Sequence, residues 1–288
     1  MSNSSAPLTN KAGATSPKRR TGLIVAVVVA VAAIIAAIII VPRLTAPAEP
    51  ASTAAASEYI LVTDGTLTVA TEGTYKPFSY HDETGELVGY DVEVAKAVAE
   101  KLGLEVSFQE TEWAAIFAGL EGQRFDIIGN QVSINAERQE KYLLSDPYTV
   151  SPGALIVTAD NTTITGFDDL EGKKAAQSAT SNWYELAASY GAEIEDIEGW
   201  NESITLLRDG RIDFTLNDKL TFLDYVATEG VDDIKIVAET DDPSLSAFAL
   251  TKENAALTEA INAALAELAA DGTLAEIGEK YFGADVSQ

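Results

Sequence analysis

The sequence predicts an α/β fold of two lobes, preceded by a single apolar N-terminal helix. Strand and helix patterns alternate through most of the 288 residues, which is enough chain for two modest lobes. A second alternating series begins near Gly172, and every residue from Leu23 to Val41 is Ala, Val, Leu or Ile. An apolar run of that length predicts a membrane-spanning helix or a signal segment.

The N-terminal segment predicts where the rest of the chain lies. Residues 22–41 are long enough to cross a hydrocarbon layer of roughly 30 Å. A basic cluster at residues 18–20 precedes this segment and only Arg43 follows closely, so the positive-inside rule makes residues 1–21 a cytoplasmic tail. The run is longer than a signal h-region of about 7 to 15 residues, which favours an uncleaved anchor. We expect an extracytoplasmic protein anchored to the membrane, or a periplasmic or secreted one if the helix is cleaved.

The remaining elements follow from apolar spacing and turn residues. Residues 42–58, rich in Pro, Ala, Ser and Thr, predict a linker. In the first lobe we expect strands and helices in alternation: strand 67–71, helix 91–102 capped by Asp91, strand 106–108, helix 114–120 and strand 125–128. In the second series we expect strand 174–177, helix 182–190, a strand near 194, helix 200–207, strand 212–216, helix 220–226 and strand 246–250. A helix over 257–268 and a short final helix to Phe282 close the chain.

Composition argues against several function classes. The formal net charge of −26 and the isoelectric point near 4.2 repel phosphate backbones, so we expect no nucleic-acid partner. The absence of Cys excludes disulfides and thiolate metal sites. His81, the single histidine, lies in a turn-like stretch, and a Gly-x-Ser-x-Gly elbow, an EF-hand, an HExxH helix and a Walker loop are all missing from the sequence. We therefore predict no catalytic residue, no metal and no cofactor.

Arg138 is the basic residue that the sequence places most suggestively. It follows Ser133 and Asn135, which can cap a short helix over residues 136–142, so its guanidinium falls in the first turn of that helix. A cation there opposes the helix dipole unless an anion joins the same site, which favours a carboxylate-binding pocket. The alternative is an ordinary surface ion pair with a nearby acidic residue: Glu137, Glu140 or Asp146.

Several motifs, taken together, resemble those of one family. The stretch from Gly89 to Ala95 follows Tyr75-Lys76-Pro77-Phe78, and further motifs occupy residues 113–120, 125–131, 145–148 and 210–218. In combination they resemble the family 3 extracellular solute-binding proteins, which are polar amino-acid receptors of ABC importers. The resemblance runs from Gly65 to Gly283.

The resemblance implies an architecture and partners. It implies a two-lobe periplasmic-binding-protein-like fold of type II, with lobe 1 formed by residues 59–152 and 247–288 and lobe 2 by residues 153–246. Two hinge strands would lie near residues 150–157 and 246–250, and the ligand would close the cleft. The implied partners are a small-molecule amino acid and the permease and ATPase of an ABC importer, with the receptor acting as a monomer.

The resemblance also implies the ligand site. Arg138 matches the residue that holds the ligand α-carboxylate, helped by Gln131 and Ser133, and Asp218 matches the acid of lobe 2 that takes the α-ammonium. A zwitterion between a cation on one lobe and an anion on the other binds the closed state best. Tyr75 and Trp113 match pocket walls, with core packing as the alternative. The full set of expected ligand-binding residues is Tyr75, Phe78, Trp113, Asn130, Gln131, Val132, Ser133, Arg138, Ser178, Thr180, Ser181, Asn182 and Asp218.

The subgroup and the function follow from two of these stretches. Residues 177–183 and 130–135 resemble the cystine-binding branch, and the sequence does not locate the additional acids that receptors of basic ligands offer. We expect a neutral polar amino acid, with L-cystine first, and no enzymatic activity. Two alternatives stay open, namely an enzyme on the same fold, such as a cyclohexadienyl dehydratase or the binding module of a murein-cleaving enzyme, and a ligand-sensing module coupled through the membrane helix.

Overall fold

The computed structural model describes residues 59–288. The predicted tail, apolar helix and linker, residues 1–58, lie outside the described residues. Across residues 59–288, the helices are all too short or too polar to cross a membrane.

The described chain alternates strands and helices, as the periodicity predicts. The strands are β1 Thr66–Thr71, β2 Thr74–Tyr75, β3 Ser79–His81, β4 Leu87–Val88, β5 Glu105–Glu110, β6 Ile127–Ser133, β7 Leu143–Leu144, β8 Thr149–Ser151, β9 Gly153–Thr158, β10 Lys174–Gln177, β11 Glu193–Asp196, β12 Thr215–Asp218, β13 Ile234–Glu239 and β14 Ser244–Leu250. The α-helices are α1 Tyr90–Leu102, α2 Trp113–Glu121, α3 Ala136–Lys141, α4 Asn182–Ser189, α5 Trp200–Arg208, α6 Lys219–Glu229, α7 Ala255–Ala270 and α8 Thr273–Phe282.

A mixed six-stranded sheet organises lobe 1. Its order is β5-β1-β6-β14-β7, with β8 also paired to β14. Strand β1 runs parallel to β5 and β6, whereas β14 is antiparallel to its neighbours. Helices α1 and α7 bury their apolar faces together, with Val94, Val98 and Ile261 fully enclosed. On a second apolar cluster, Ile116 of α2 packs with Phe125. Because β14 comes from the last quarter of the chain, both ends of the described chain build this lobe.

Two smaller sheets form lobe 2. Strands β12, β9 and β13 make an antiparallel sheet, and β10 pairs with β11 in parallel. One apolar cluster holds Trp200 and Ile204 of α5, and another surrounds Leu155 and Phe214. The chain passes between the lobes twice. The first passage is the single residue Pro152 between β8 and β9, and the second is the segment 240–243 between β13 and β14.

The structure corrects some of the predicted elements. Asp91 does not cap α1: the cap position is Gly89, at φ 133°, and Asp91 lies inside the first turn with its side chain bonded to Gln131. A side chain at Gly89 would meet the backbone of Phe78, which is why a residue without a Cβ stands there. Strand β13 was not expected, and β12 begins at Thr215, three residues later than its apolar pattern suggested. Strand β12 is buried along its whole length, where an apolar–polar alternation is not expected.

Candidate functional site

A cleft between the two lobes is the candidate site. It contains about 630 Å³ of space free of protein atoms, including the part open to solvent. Seven of the thirteen residues expected from the sequence line it: Tyr75, Trp113, Asn130, Gln131, Ser178, Ser181 and Asn182. Trp113 also belongs to an apolar core cluster, so its packing role and its wall position are both present.

Two expected residues lie in the core instead of the wall. Phe78 is fully buried, and its ring packs against those of Tyr75 and Phe282 at centroid distances of 5.2 and 5.7 Å. Val132 is also fully buried, among the apolar residues under α2. Neither lines the cleft. Their side chains support the wall from behind.

Arg138 is buried between the lobes. Asn135 Oδ1 accepts the Arg138 backbone N–H at 2.8 Å, which caps α3 as predicted. The guanidinium stacks over Trp113, with its central carbon 5.3 Å from the ring centroid. It donates to the carbonyl oxygens of Ser133, at 2.9 Å, and Thr180, at 3.2 Å. Burial lowers the pKa of Arg138 to about 10. The side chain borders a neighbouring cavity rather than the cleft itself.

The alternative reading of Arg138, as a surface ion pair, does not describe what the structure shows. The residue is only 6% exposed. Among the salt bridges of residues 59–288, none involves Arg138. A buried cation that bonds only to carbonyl oxygens still has N–H groups to offer, because a guanidinium carries five donors. Such a group can take a ligand carboxylate.

Asp218 is the buried acid of lobe 2. It is the last residue of β12 and caps α6, because its Oδ1 accepts the Leu220 N–H at 2.8 Å and the Ser151 hydroxyl at 2.6 Å. Within the described part of the chain, no hydrogen bond reaches Oδ2. Burial raises the pKa of Asp218 to about 6. Asp218 is next to Asn217, which lines the cleft.

Glu72 is a cleft carboxylate that was not among the residues expected from the sequence. Its Oε2 accepts a hydrogen bond from Asn130 Nδ2 at 2.6 Å, and its backbone N–H donates to Asn130 Oδ1 at 2.8 Å. Burial is the main cause that raises the pKa of Glu72 to about 7, and Glu198 adds to it. One signal could have found it: β1 and β6 are parallel neighbours, so residues just after β1 and at Asn130 meet at the carboxyl edge of the sheet.

Asp91 fixes Gln131 at the cleft wall. Its two carboxylate oxygens accept the backbone N–H of Gln131 at 2.8 Å and the side-chain amide at 2.6 Å. Gln131 has φ 49°, a left-handed conformation that costs about 1–2 kcal/mol for a non-glycine residue. The amide also donates to Thr149 Oγ1 at 3.0 Å. Asp91 is buried, which raises its pKa to about 7. The paired hydrogen bonds hold Gln131 in this strained geometry.

Several hydrogen bonds join the lobes directly across the cleft. The Tyr75 hydroxyl donates to Asn217 Oδ1 at 2.8 Å and accepts from Thr221 Oγ1 at 3.2 Å. Together with the bond from Arg138 to Thr180, these contacts describe a closed arrangement. The remaining expected residues, Ser133 and Thr180, take part through their carbonyl oxygens. His81 is exposed at the end of β3, bonded to Glu110 and to the carbonyl of Gly85.

The cleft offers binding chemistry. It combines the half-buried carboxylate of Glu72 and aromatic walls with the buried Asp218 carboxylate and Arg138 guanidinium at its border. Within residues 59–288, no three His, Asp or Glu side chains are grouped so as to hold a metal ion.

A comparison with protein families then decides the assignment. The family model described as bacterial extracellular solute-binding proteins, family 3, matches residues 67–284. The chain belongs to this family. It has the two-lobe, periplasmic-binding-protein-like α/β fold of these solute-binding proteins, as the sequence resemblance implied.

This solute-binding protein is similar in sequence and structure to several known binding proteins. It is 46% identical over 225 residues to the L-cystine-binding protein TcyA of Bacillus subtilis, covering 78% of this chain and 84% of that protein. The unliganded, open structure of the L-cystine solute receptor of Neisseria gonorrhoeae is 44% identical, with 78% and 95% of the two chains covered and a TM-score of 0.55. An ancestral arginine-binding protein bound to arginine is 35% identical, covers 76% and 99% of the chains and has a TM-score of 0.71.

For these two solved structures, sequence identity and TM-score do not rank in the same order. The open receptor has the higher sequence identity but the lower TM-score, whereas the arginine-bound protein has the lower identity and the higher TM-score. Sequence divergence alone would give the opposite order. The cross-cleft hydrogen bonds of this solute-binding protein describe closed lobes, unlike the open conformation of the Neisseria receptor.

Proposed function

We propose that this protein is an extracytoplasmic receptor that binds L-cystine and delivers it to an ABC importer by closing its lobes. The observation that carries the proposal is a set of three charged groups, at the cleft and its border, that form no salt bridge. Arg138 forms no salt bridge, and neither Glu72 nor Asp218 takes part in one, among the described residues. Unpaired buried charges are costly unless a ligand completes them.

The proximal end of the ligand would occupy the border between the lobes. Asp218 Oδ2 would accept the α-ammonium, since Oδ1 is already engaged by Ser151 and Leu220. Arg138 would hold the α-carboxylate with its remaining N–H groups. Gln131, whose N–H groups are taken by Asp91 and Thr149, would present its unpartnered Oε1 from lobe 1 as an acceptor for the α-ammonium. A ligand bridging both lobes in this way stabilises the closed state over the open one.

The far end of the ligand would meet Glu72. Its carboxylate lines the cleft and is supported by Asn130, so it is placed to accept a second ammonium group. L-Cystine carries two ammonium groups, one at each end. The relatives named as L-cystine-binding proteins, at the identity given above, support the same choice. A basic amino acid such as arginine also has a cationic far end, and the experiment below separates the two.

Location and role follow from the same proposal. The apolar segment 22–41 would anchor a monomeric receptor to the membrane, with residues 59–288 outside, and the protein would act as a receptor and not as an enzyme. The family relatives are binding proteins, which supports this role. Carbonate washing of membranes tests the anchor, and we expect the full-length chain to stay in the membrane fraction. A shorter chain of the length left by cleavage, found in the medium, would contradict the anchor.

Isothermal titration of the full-length protein in detergent, at pH 8, tests the ligand. The panel contains L-cystine, L-arginine, L-lysine, L-histidine, L-glutamine and L-glutamate. We expect L-cystine to bind most tightly. Heat released only by arginine, lysine or glutamate would overturn the choice of ligand, and silence across the panel would overturn the receptor function.

A further inference from the structure

Unpartnered polar atoms are concentrated at the cleft. In the described part of the chain, four buried side-chain atoms lack a hydrogen-bond partner, and three belong to residues that line the cleft: Trp113 Nε1, Trp200 Nε1 and Gln131 Oε1. A buried indole N–H usually has a partner, and leaving one unmade costs roughly as much as losing a hydrogen bond. Their common location indicates that a bound molecule completes them.

Trp200 is the informative member of this set. It is 8% exposed and is the first residue of α5. Its ring packs edge-on against Tyr225, with centroids 5.6 Å apart and planes at 84°, inside an apolar cluster with Ile204 and Phe222. The ring is therefore fixed by its neighbours and cannot turn to find another acceptor. The indole N–H is a preorganised donor.

The beginning of α5 adds further donors at the same place. Gly199 occupies the cap position, supplies no side-chain hydrogen bond and, like Trp200, lines the cleft. The first backbone N–H groups of a helix have no partner inside the helix, and they favour a negative group. The one acidic side chain of this turn, Glu202, is exposed, bonds the Glu198 N–H and lines a different cavity.

The corresponding helix start in lobe 1 lies beside an acidic side chain of the protein. Helix α2 begins with Trp113, whose backbone N–H stabilises the carboxylate of Glu72. In lobe 2, no carboxylate among residues 59–288 accepts a hydrogen bond from the first backbone N–H groups of α5; Glu202 accepts instead from Glu198. The two helix starts thus differ, because one already has its anion and the other does not.

We propose that Trp200 Nε1 and the free backbone N–H groups at the beginning of α5 bind a second carboxylate of the ligand. This site uses different residues from the α-carboxylate site at Arg138. The ligand class is an amino acid whose far end carries a carboxylate as well as an ammonium group. The inference rests on the proposed receptor function and extends it, since it makes Trp200 a specificity-determining residue.

The test compares two ligands that differ only in the far carboxylate. L-Cystine has it, whereas the mixed disulfide of L-cysteine and cysteamine keeps the α-amino acid end and the far ammonium but lacks that group. Titrations use the full-length protein in detergent at pH 8. For the wild-type protein we expect L-cystine to bind at least about tenfold more tightly than the mixed disulfide, as a charge-assisted hydrogen bond predicts.

The Trp200→Phe variant keeps an aromatic ring and removes the N–H. We expect it to lose about tenfold in affinity for L-cystine and to bind the mixed disulfide within about twofold of the wild-type protein. The mixed disulfide is the control for folding and packing. An equal loss for both ligands would overturn the inference, because it would indicate a packing role.

The wild-type comparison keeps the inference falsifiable if the variant does not fold. Equal wild-type affinities for the two ligands would overturn it without any variant. These outcomes are distinct from failure of the proposed function, in which the wild-type protein binds neither ligand.

Discussion

Replacement of Asp218 by Asn should stabilise the ligand-free protein and weaken ligand binding. The substitution keeps an oxygen that can cap α6 and accept from Ser151, and Asn and Asp are about equal as helix caps. It removes a buried charge, since Asp218 is only 4% exposed. A residue with a purely structural role would lose stability or leave binding unchanged. Opposite changes in stability and affinity therefore identify a functional carboxylate.

The magnitude follows from the raised pKa. Burial raises the pKa of Asp218 from 3.8 to about 6, and each tenfold change in proton affinity is worth about 1.4 kcal/mol. Because ionisation is harder in the folded state than in the unfolded chain, the carboxyl destabilises the fold progressively as pH rises from about 4 to about 6. The cost reaches about 3 kcal/mol above pH 7 and about half of that at pH 5. Asp218→Asn removes this cost.

The same substitution should lower the affinity for the ligand, although it raises the stability of the ligand-free protein. Loss of the charge leaves the ligand ammonium desolvated opposite a neutral amide, which costs at least about 2 kcal/mol, or roughly thirtyfold in Kd. Urea unfolding of the ligand-free protein at pH 8 and pH 5 measures stability, and titration with L-cystine at pH 8 measures affinity. We expect a stability gain at pH 8 that shrinks at pH 5. A loss of stability at pH 8, or an unchanged Kd, would refute the reasoning.

Three further predictions address the other cleft residues. Ionised Glu72 should attract the far ammonium, and the pKa of Glu72 is about 7, so wild-type affinity for L-cystine should fall about tenfold from pH 8 to pH 6. The Glu72→Gln variant should lose most of this pH dependence. An unchanged pH profile in the variant would exclude Glu72 as the partner of the far ammonium. Tyr75→Phe removes the hydroxyl bonded to Asn217, so small-angle scattering of the ligand-free protein should show a larger radius of gyration than the wild-type protein. Arg138→Lys should weaken L-cystine binding at least about tenfold, because a Lys ammonium cannot replace a planar guanidinium that bonds two carbonyl oxygens and a ligand carboxylate. The control variant Arg211→Lys, at an exposed position, should bind L-cystine with wild-type affinity.

Elements with strong local signals could be predicted from the sequence. The α7 helix was expected over residues 257–268 from apolar residues at spacings of three and four, and the structure forms it over Ala255–Ala270. The capping of α3 by Asn135 also followed from local chemistry. Asp91 was misplaced because a buried carboxylate beside a glycine has the same sequence pattern as a helix cap. Its real partner, Gln131, is 40 residues away, and local patterns carry no information on that pairing.

The residues of the candidate site also differ in how far the sequence alone could predict them. Residues at helix starts and in motifs, such as Asn182 and Trp113, could be expected at the cleft because a motif fixes them locally. Glu72 looked like one more acidic residue before a turn, and Trp200 looked like the first apolar position of a helix. Their roles depend on which strand edges meet and on which atoms remain without partners. These are properties of the assembled sheets, so they appear only in three dimensions.

The distribution of buried acids explains how closure can depend on the ligand. Asp91 and its partner Gln131 both lie in lobe 1, so their pairing does not need a contact between the lobes. Glu72 and Asp218 come from different lobes, and closure without a ligand desolvates both while bringing no cation to either. An apolar molecule of the right size would fill the cleft and leave that cost in place. On the proposed function, a molecule with two ammonium groups would remove that cost, and discrimination would arise from charges that the protein alone leaves unpaired in the closed state.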